Sequence, residues 1–566
     1  MSRGRKPAIV EVDLAAIQSL MGRAKEKLPA EDYAMVEGLV ATLLHVVELV
    51  RKGRATIARL RRLVGLDSTE KTAEVLGRLE GAQPSTVSST SSDAEEASPN
   101  HKPCPSPAGA TAAARARGED ESKPKGHGRL SASDYPEATH VPVRHESLHA
   151  GDRCPSCGRG TLFCLRQPAR LLRIVGQAPL VAVCWDCERL RCSGCGLVHT
   201  AAAPSEARGV KYSEAAAAMI AIERYGLGVP FHRLEQLQRH LGTPVPASTQ
   251  WDVVEARVEE VYPAYQELVR RAALGSVVHN DDTYIRILEF MGKRRKTLLR
   301  NGLLLDPERT GLFTTGIVAM TEGRTIALFF TGRKHAGENL SAVLDHRPPG
   351  LAPPTLICDA LDRNLPPQHV VIEGNCSSHA RRHFVDQAEN FPVECRYVLE
   401  RLGRVFKIDQ TCRTEGLSDD QRLLRHQKQS GPVMAELKAW MQAQLDEKRV
   451  EPNSGLGHAM NYMLKRWEKL TLFLRVPRAP IHNNIVERAL KMAIRHRNNS
   501  LFYRSQRGAT VGDVYMSLIH TTELDGGDAF HYLTELMRHP TAVADHPSDW
   551  LPWSYRQTLA REAAVA

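Results

Sequence analysis

The chain has 566 residues, more than one hydrophobic core can organise, so about three or four domains are expected. Its hydrophobic content of 42% is ordinary for a soluble protein, and a formal charge of +10 with a pI near 9.0 favours a polyanionic partner. No apolar segment follows the charged start Met1-Ser-Arg-Gly-Arg-Lys-Pro-Ala8, and the nearest apolar run, Leu39 to Val50, contains His45 and Glu48, so neither a signal peptide nor a membrane span is expected. Twelve cysteines in such a chain point to metal binding before disulfides, and a cytoplasmic location is expected.

Residues 1–80 read as a helical region. Val36, Leu43, Val50, Ile57 and Val64 recur every seven residues, with Val40 and Val47 between them, which fits a short coiled-coil dimer or a helical hairpin within one chain. Arg51, Lys52, Arg54, Arg59, Arg61 and Arg62 make this helix basic, either for DNA or as a solvated face. Residues 81–150, rich in Ser, Thr, Pro, Ala and Gly, cannot bury a core and read as a disordered linker.

Residues 151–203 carry two Cys-x-x-Cys-Gly knuckles, Cys154/Cys157 and Cys192/Cys195. Four thiolates in tetrahedral array predict a zinc ribbon with one structural Zn²⁺. A third pair, Cys184 and Cys187, lacks the glycine and follows Leu180-Val-Ala-Val, which reads as a strand, so packing cysteines are expected there. In residues 204–275, Ser213 is placed to cap an alanine-rich helix, Phe231 to Leu241 is a second, and Ser248 is placed to cap a third. Helix, tight turn and helix outline a DNA-reading helix-turn-helix, and equally any packed helical hairpin.

The next segment, 276–515, reads as mixed α/β. Ser276 to Leu288 is a strand carrying Asp281 and Asp282, followed by a basic loop with Lys293, Arg294, Arg295 and Lys296. Phe313 to Met320 and Thr325 to Gly332 flank Thr321-Glu-Gly-Arg324, a hairpin signal. A helix (338–344), a strand ending at Asp359 and a strand at 370–373 follow, then a helical insertion at about 385–475, and finally Glu487 near the start of a helix. That order matches an RNase H-like fold, with residues 516–566 as a C-terminal helical region. Two strand-borne aspartates and a helix-borne glutamate supply the oxygen ligands that a pair of Mg²⁺ ions wants for phosphodiester chemistry. Asn484 and Glu487 also read as a helix capping box. Asp281 and Asp282 point to opposite faces of their strand, so only one can join such a site.

Several segments resemble the transposases of the bacterial insertion-sequence-66 family: Gly126-His-Gly-Arg129, Cys154 to Gly158, Tyr225 to Leu234, Pro246 to Trp251, His279 to Thr283, Asn375 to Phe384, Ser454 to Gly457, Asn483 to Arg488 and Ser517 to Thr521. The resemblance covers about 126–535, and more loosely Leu60-Arg-Arg-Leu63. It implies a DDE triad on Asp281, Asp359 and Glu487 and puts the family's Cys-x-x-His signature on Cys376 and His379. His482 and Asn498 depart from the family's usual Asp and Lys.

The expected activity is metal-dependent cleavage at transposon ends followed by strand transfer, with two Mg²⁺ (or Mn²⁺) as cofactors. His379 is expected near the scissile phosphate, and Arg381, Arg382, Arg488, Lys491, Arg495, Lys293, Arg294 and Arg295 are expected on DNA phosphates. The partners expected are double-stranded DNA, a second copy of the chain, and small element-encoded accessory proteins. A nuclease or resolvase that cuts without joining, and a zinc-ribbon regulator without catalysis, are the alternatives.

Overall fold

The computed structural model describes Ser147 and residues 149–157, 159–163, 179–191, 198–202, 204, 210–304 and 306–565. The predicted coiled coil, nearly all of the predicted linker, and Cys192 and Cys195 lie outside the described residues. Around Cys154 the chain doubles back. The Cys154 N–H donates to Gly160 O at 2.8 Å, and the Leu162 N–H to Asp152 O at 2.8 Å. Strand β1 (Arg189–Arg191) pairs antiparallel with β2 (Val198–Thr200), and the second cysteine knuckle lies between them in sequence.

The strand expected at Leu180–Cys184 is corrected: the segment has no ladder among the described residues, and Val181 and Val183 are 68% and 65% exposed. Cys184 is exposed, so it is not the packing cysteine expected, while Cys187 is half-buried. β-branched residues make a strand only where another strand or a core receives them, and among the described residues only Leu180 of this segment reaches the core.

Ser213 caps helix α1 (Glu214–Ala221) as expected, its hydroxyl accepting the Ala216 N–H at 3.3 Å. Helices α2 (Phe231–His240) and α3 (Ala247–Ala273) follow. Ser248 is not a cap, because α3 begins one residue earlier, after Pro246. Val254, Val258, Val261 and Leu268 line one side of α3 and join the same core as the central sheet.

That sheet has five strands in the order β5-β4-β3-β6-β7. β3 (Val277–Tyr284), β4 (Phe313–Thr321) and β5 (Arg324–Gly332) are successively antiparallel. β6 (Thr355–Cys358) runs parallel to β3, and β7 (Ile372–Asn375) parallel to β6. Glu322 and Gly323 both take positive φ, 49° and 78°, as a two-residue hairpin turn between twisted strands requires. The basic segment between β3 and β4 is a helix, α4 (Gly292–Arg300), where a loop was expected. Lys, Arg and Leu are all strong helix formers, and charge alone conceals that.

Helix α5 (Ala336–Leu344) covers one face of β3 and β4. A helical insertion follows β7, comprising α6 (Ser377–Gln387), α7 (Pro392–Thr414), α8 (Asp419–Arg425), α9 (Gly431–Asp446) and α10 (Gly455–Lys465). It has its own core of Phe384, Leu399, Leu437, Met441, Met460 and Phe473. Its polar centre is Asp409, fully buried among Arg413, Arg422 and His426.

Helix α11 (Asn484–Ser500) then returns to the other face of the sheet. Helix α12 (Gln506–Leu524) lies along β5 at the sheet's edge. Asp513, Ser517 and Thr521, four residues apart, accept the N–H groups of Thr331, Phe329 and Ala327 at 2.6, 3.0 and 3.1 Å. An edge strand that would otherwise pair with another chain is thereby satisfied by side chains. Among the described residues no helix is long and apolar enough to cross a membrane.

Candidate functional site

The crevice arises where β3 and β6 part. Their parallel register ends at His279 opposite Ile357, while β3 continues to Tyr284 paired only with β4. Ligand crevices in such sheets open at the carboxyl ends of neighbouring strands. Asp281 lies two residues past the split, and Asp359 directly follows β6.

Strand alternation separates the two neighbouring aspartates. Asp281 pairs in register with Gly316, and that glycine lies under α11: a Cβ there would meet Leu490 Cγ at 2.9 Å and Val486 Cγ2 at 3.1 Å. Asp282 turns to the opposite face and is spent on structure. Its carboxylate accepts Thr315 Oγ1 at 2.6 Å and the Ala336 N–H at 3.1 Å, and lies 3.1 Å from His335 Nδ1 at the start of α5.

Burial, and then the charge of Asp359, push the Asp281 carboxyl up to about 8, with Glu487 adding to the effect. Asp359 is also raised by burial, against the pull of His379, the Leu361 N–H and Arg363. The charges of Asp359 and Glu487 therefore both reach Asp281, although Asp281 and Asp359 are 78 residues apart in sequence and Glu487 follows a whole helical insertion. Glu487 is in the first turn of α11, but no capping box forms there. Asn483 is the N-cap but its side chain makes no capping bond to the helix, and Asn484 Oδ1 is buried without a partner. The Glu487 carboxylate instead lies 3.8 Å from His379 Nε2.

Cys376 joins these two. Donor atoms of Cys376, His379 and Glu487 all lie within 4.8 Å of one another. The Cys376 thiol is buried and accepts the Asn483 N–H at 3.1 Å; burial, then the Glu487 charge, push it up to about 11.

A layer of asparagines beneath the acids was not foreseen from the sequence. Asn483 Nδ2 donates to Asn280 O at 3.0 Å, and Asn280 Nδ2 to Asn364 O at 2.7 Å. Asn364 Nδ2 in turn donates to Asp359 Oδ1. The only hint was the clustering of His279-Asn280 and Asn483-Asn484 around the acids.

The basic residues fall into two groups. Arg488 and Arg495 are exposed and Lys491 half-buried on α11, with Arg382 exposed and Arg381 half-buried on α6 near His379. Lys293 and Arg294 are exposed on α4, while Arg295 is half-buried and donates to Pro307 O. In the first knuckle, backbone N–H groups of Gly160 and Arg159 pull the exposed Cys157 thiol below its usual range.

The chain is similar to three proteins of Sinorhizobium fredii (strain NBRC 101917 / NGR234). Uncharacterized protein y4hP is 29% identical over 208 residues, covering 34% of this chain and 36% of that protein. Uncharacterized protein y4jD is 30% identical over 194 residues, 33% and 37% of the two chains. Uncharacterized protein y4qI is 26% identical over 352 residues, 60% and 62%. The chain thus spans between about a third and two thirds of the curated relatives it matches. No solved structure matches it. Residues 209–511, more than half of the chain and all of the crevice, match the family model described as Transposase IS66 family. The chain belongs to that family.

Proposed function

We propose that this chain is a DDE transposase built on an RNase H-like domain, cutting the ends of its element and joining them to target DNA. The observation that carries this reading is the action of the Asp359 and Glu487 charges on the buried Asp281 at the split between β3 and β6, inside the segment matched by a transposase family. The donor set suits hard divalent cations, because a desolvated carboxyl pushed up by two others is relieved by bound positive charge. These three residues would hold two Mg²⁺ ions, for which Mn²⁺ can substitute, and such a pair polarises the attacking oxygen and stabilises the leaving one.

The chain's own groups do the rest. Asn364 holds the Asp359 carboxylate in place. His379, beside Glu487, faces the scissile phosphate and donates to it, while Arg381, Arg382, Arg488, Lys491 and Arg495 neutralise flanking phosphates. Cys154, Cys157, Cys192 and Cys195 would hold one structural Zn²⁺, and the lowered Cys157 thiol supports that assignment. The protein would act in the cytoplasm, at the nucleoid when bound to DNA, as a homodimer or larger assembly with element-encoded accessory proteins.

A second cation reading has its own observation. A thiol, an imidazole and a carboxylate within 4.8 Å suit a softer ion such as zinc at Cys376, His379 and Glu487. The test is cleavage of a duplex carrying the inverted repeats that flank the reading frame. Mg²⁺ or Mn²⁺ should support it, and Asp281→Asn, Asp359→Asn and Glu487→Gln should each abolish it with end binding retained. Activity with Zn²⁺ alone, lost in Cys376→Ser, would favour the softer site; a fully active acid variant would remove that residue from the set.

A further inference from the structure

The helix that carries Glu487 ends on Leu501 at φ 67° and ψ −34°. A positive φ strains any residue with a Cβ, and glycine is the usual occupant of such a helix end. The other described non-glycine residues with positive φ, Glu322, Lys448 and Arg478, are all polar. Leu501 gains no burial from its strain: it is 59% exposed, and Phe502 beside it 40% exposed.

The backbone beneath these side chains is nevertheless fixed. The Leu501 N–H donates to Arg497 O and the Phe502 N–H to Ser500 O, both at 2.8 Å. Tyr503, buried and stacked on His496 at 4.3 Å, donates its N–H to Arg286 O at 2.8 Å and accepts the Leu288 N–H at 2.9 Å. Arg497 clamps the other side, its Nη1 donating to Thr283 Oγ1 at 2.8 Å and Tyr284 O at 2.6 Å. Two apolar side chains are thus held out into water on a strained, rigid tip, an arrangement that folding does not require.

The surroundings of the tip are basic. Arg504 is exposed two residues past Phe502, Arg286, whose carbonyl accepts the Tyr503 N–H, is exposed too, and α4, just beyond Arg286, exposes Lys293, Arg294, Lys296 and Arg300. Glu289, the acid between them, accepts the Gln506 N–H at 2.7 Å. Along α11, Arg488, Lys491, Arg495 and Asn498 recur at three- and four-residue spacing, a single stripe leading from Glu487 toward the tip. At about 1.5 Å per residue the tip lies about 21 Å along the helix from Glu487, on the order of six base-pair steps.

We propose that Leu501 and Phe502 form a wedge that enters a base step of bound duplex DNA and unstacks it, while the α11 stripe lies on the phosphates between the wedge and the acids. This rests on the DNA-processing reading above. Apolar side chains presented among cations match a duplex, whose charge is outside and whose apolar faces are within. An acidic protein surface would satisfy the stripe but would not account for its alignment with the acid set.

The test uses full-length protein and duplexes of the element's end in which a fluorescent adenine analogue replaces successive bases, with Ca²⁺ present so that no cutting intervenes. Fluorescence should rise at one step, on the order of six base pairs from the cleavage position. Phe502→Ala and Leu501→Gly should each abolish that rise while changing affinity by no more than about threefold, because the phosphate contacts remain. Leu501→Gly also relieves the positive φ, so misfolding is not an available explanation for its effect. Binding without a rise at any position, or an undiminished rise in Phe502→Ala, would remove the wedge and leave the acid set standing. No duplex binding at all would remove both. An altered oligomeric state in Phe502→Ala with unchanged fluorescence would give the tip to a protein contact instead.

Discussion

Asn483 Oδ1 lies 2.9 Å from His279 Nδ1, joining the residue that opens the Glu487 helix to the strand that carries Asp281. Because Asn483 Nδ2 is engaged with Asn280 O, its oxygen faces the imidazole, and His279 donates from Nδ1. Burial pushes His279 down to about 4, with the Asn483 bond opposing, so the ring stays neutral and the bond holds through the physiological range. Asn483 also gives its N–H to Cys376. One residue therefore sets the distance between three elements of the crevice.

Asn483→Ala should cost about 1–3 kcal/mol in urea unfolding, because buried partners are left unsatisfied. Cleavage should fall much further than the lost stability accounts for, with duplex affinity nearly unchanged. An Asn483→Ala protein that cleaves normally once folded would show that the junction is structural only.

Gly316 sets how closely α11 approaches the sheet. A Cβ there would lie 2.9 Å from Leu490 Cγ and 3.0 Å from its Cδ2, so Gly316→Ala should cost about 1–3 kcal/mol and displace Glu487. Leu490→Ala in the same chain should restore part of the lost activity, and thermal unfolding together with cleavage of the double variant measures this. Failure of the second substitution to restore anything would locate the damage elsewhere.

The two adjacent aspartates should separate cleanly. Asp282→Ala removes the acceptor at the start of α5 and should destabilise by about 1–3 kcal/mol. Asp281→Asn should not destabilise the protein while abolishing the reaction. A severe folding defect in Asp281→Asn beside a well-folded but inactive Asp282→Asn would exchange their roles.

Asp281 also predicts a pH dependence. Its folded value of about 8 stands above its ordinary 3.8, so the folded state holds the extra proton. The stability it contributes is complete below about 4 and is lost as pH rises toward 8. Metal-free protein should therefore weaken across that window, and Asp281→Asn should flatten part of the slope. Asp513, raised by burial to about 7, contributes in the same direction and remains in the variant. An unchanged slope in Asp281→Asn would mean that Asp281 is not the desolvated group.

Much of this architecture was legible because it follows from local chemistry. The Thr321–Arg324 turn, the Ser213 cap and the strand that leads directly into Asp359 each announce themselves within a few residues. What was hidden depends on partners far apart in sequence. The α4 helix was masked by its charge, and the Leu180–Cys184 segment, without a ladder among the described residues, by its β-branched residues. The meeting of Cys376 with Glu487, 111 residues later, required the insertion to fold back, and no spacing rule records that. Asp282 and Asp281 were separable in direction from strand alternation, but which one met Glu487 depended on the face that α11 takes.

The central claim is that the acid set joins DNA as well as cutting it. The most direct measurement supplies a duplex already ending in the element's terminal 3′-hydroxyl, together with plasmid target and any accessory proteins. Covalent joining should occur with Mg²⁺ or Mn²⁺ and not with Ca²⁺, whose longer and more numerous bonds misplace the nucleophile. Asp281→Asn, Asp359→Asn and Glu487→Gln should each abolish it. Nicking of the plasmid without joining, under conditions in which the wild-type protein binds its ends, would contradict the transposase account and leave a nuclease.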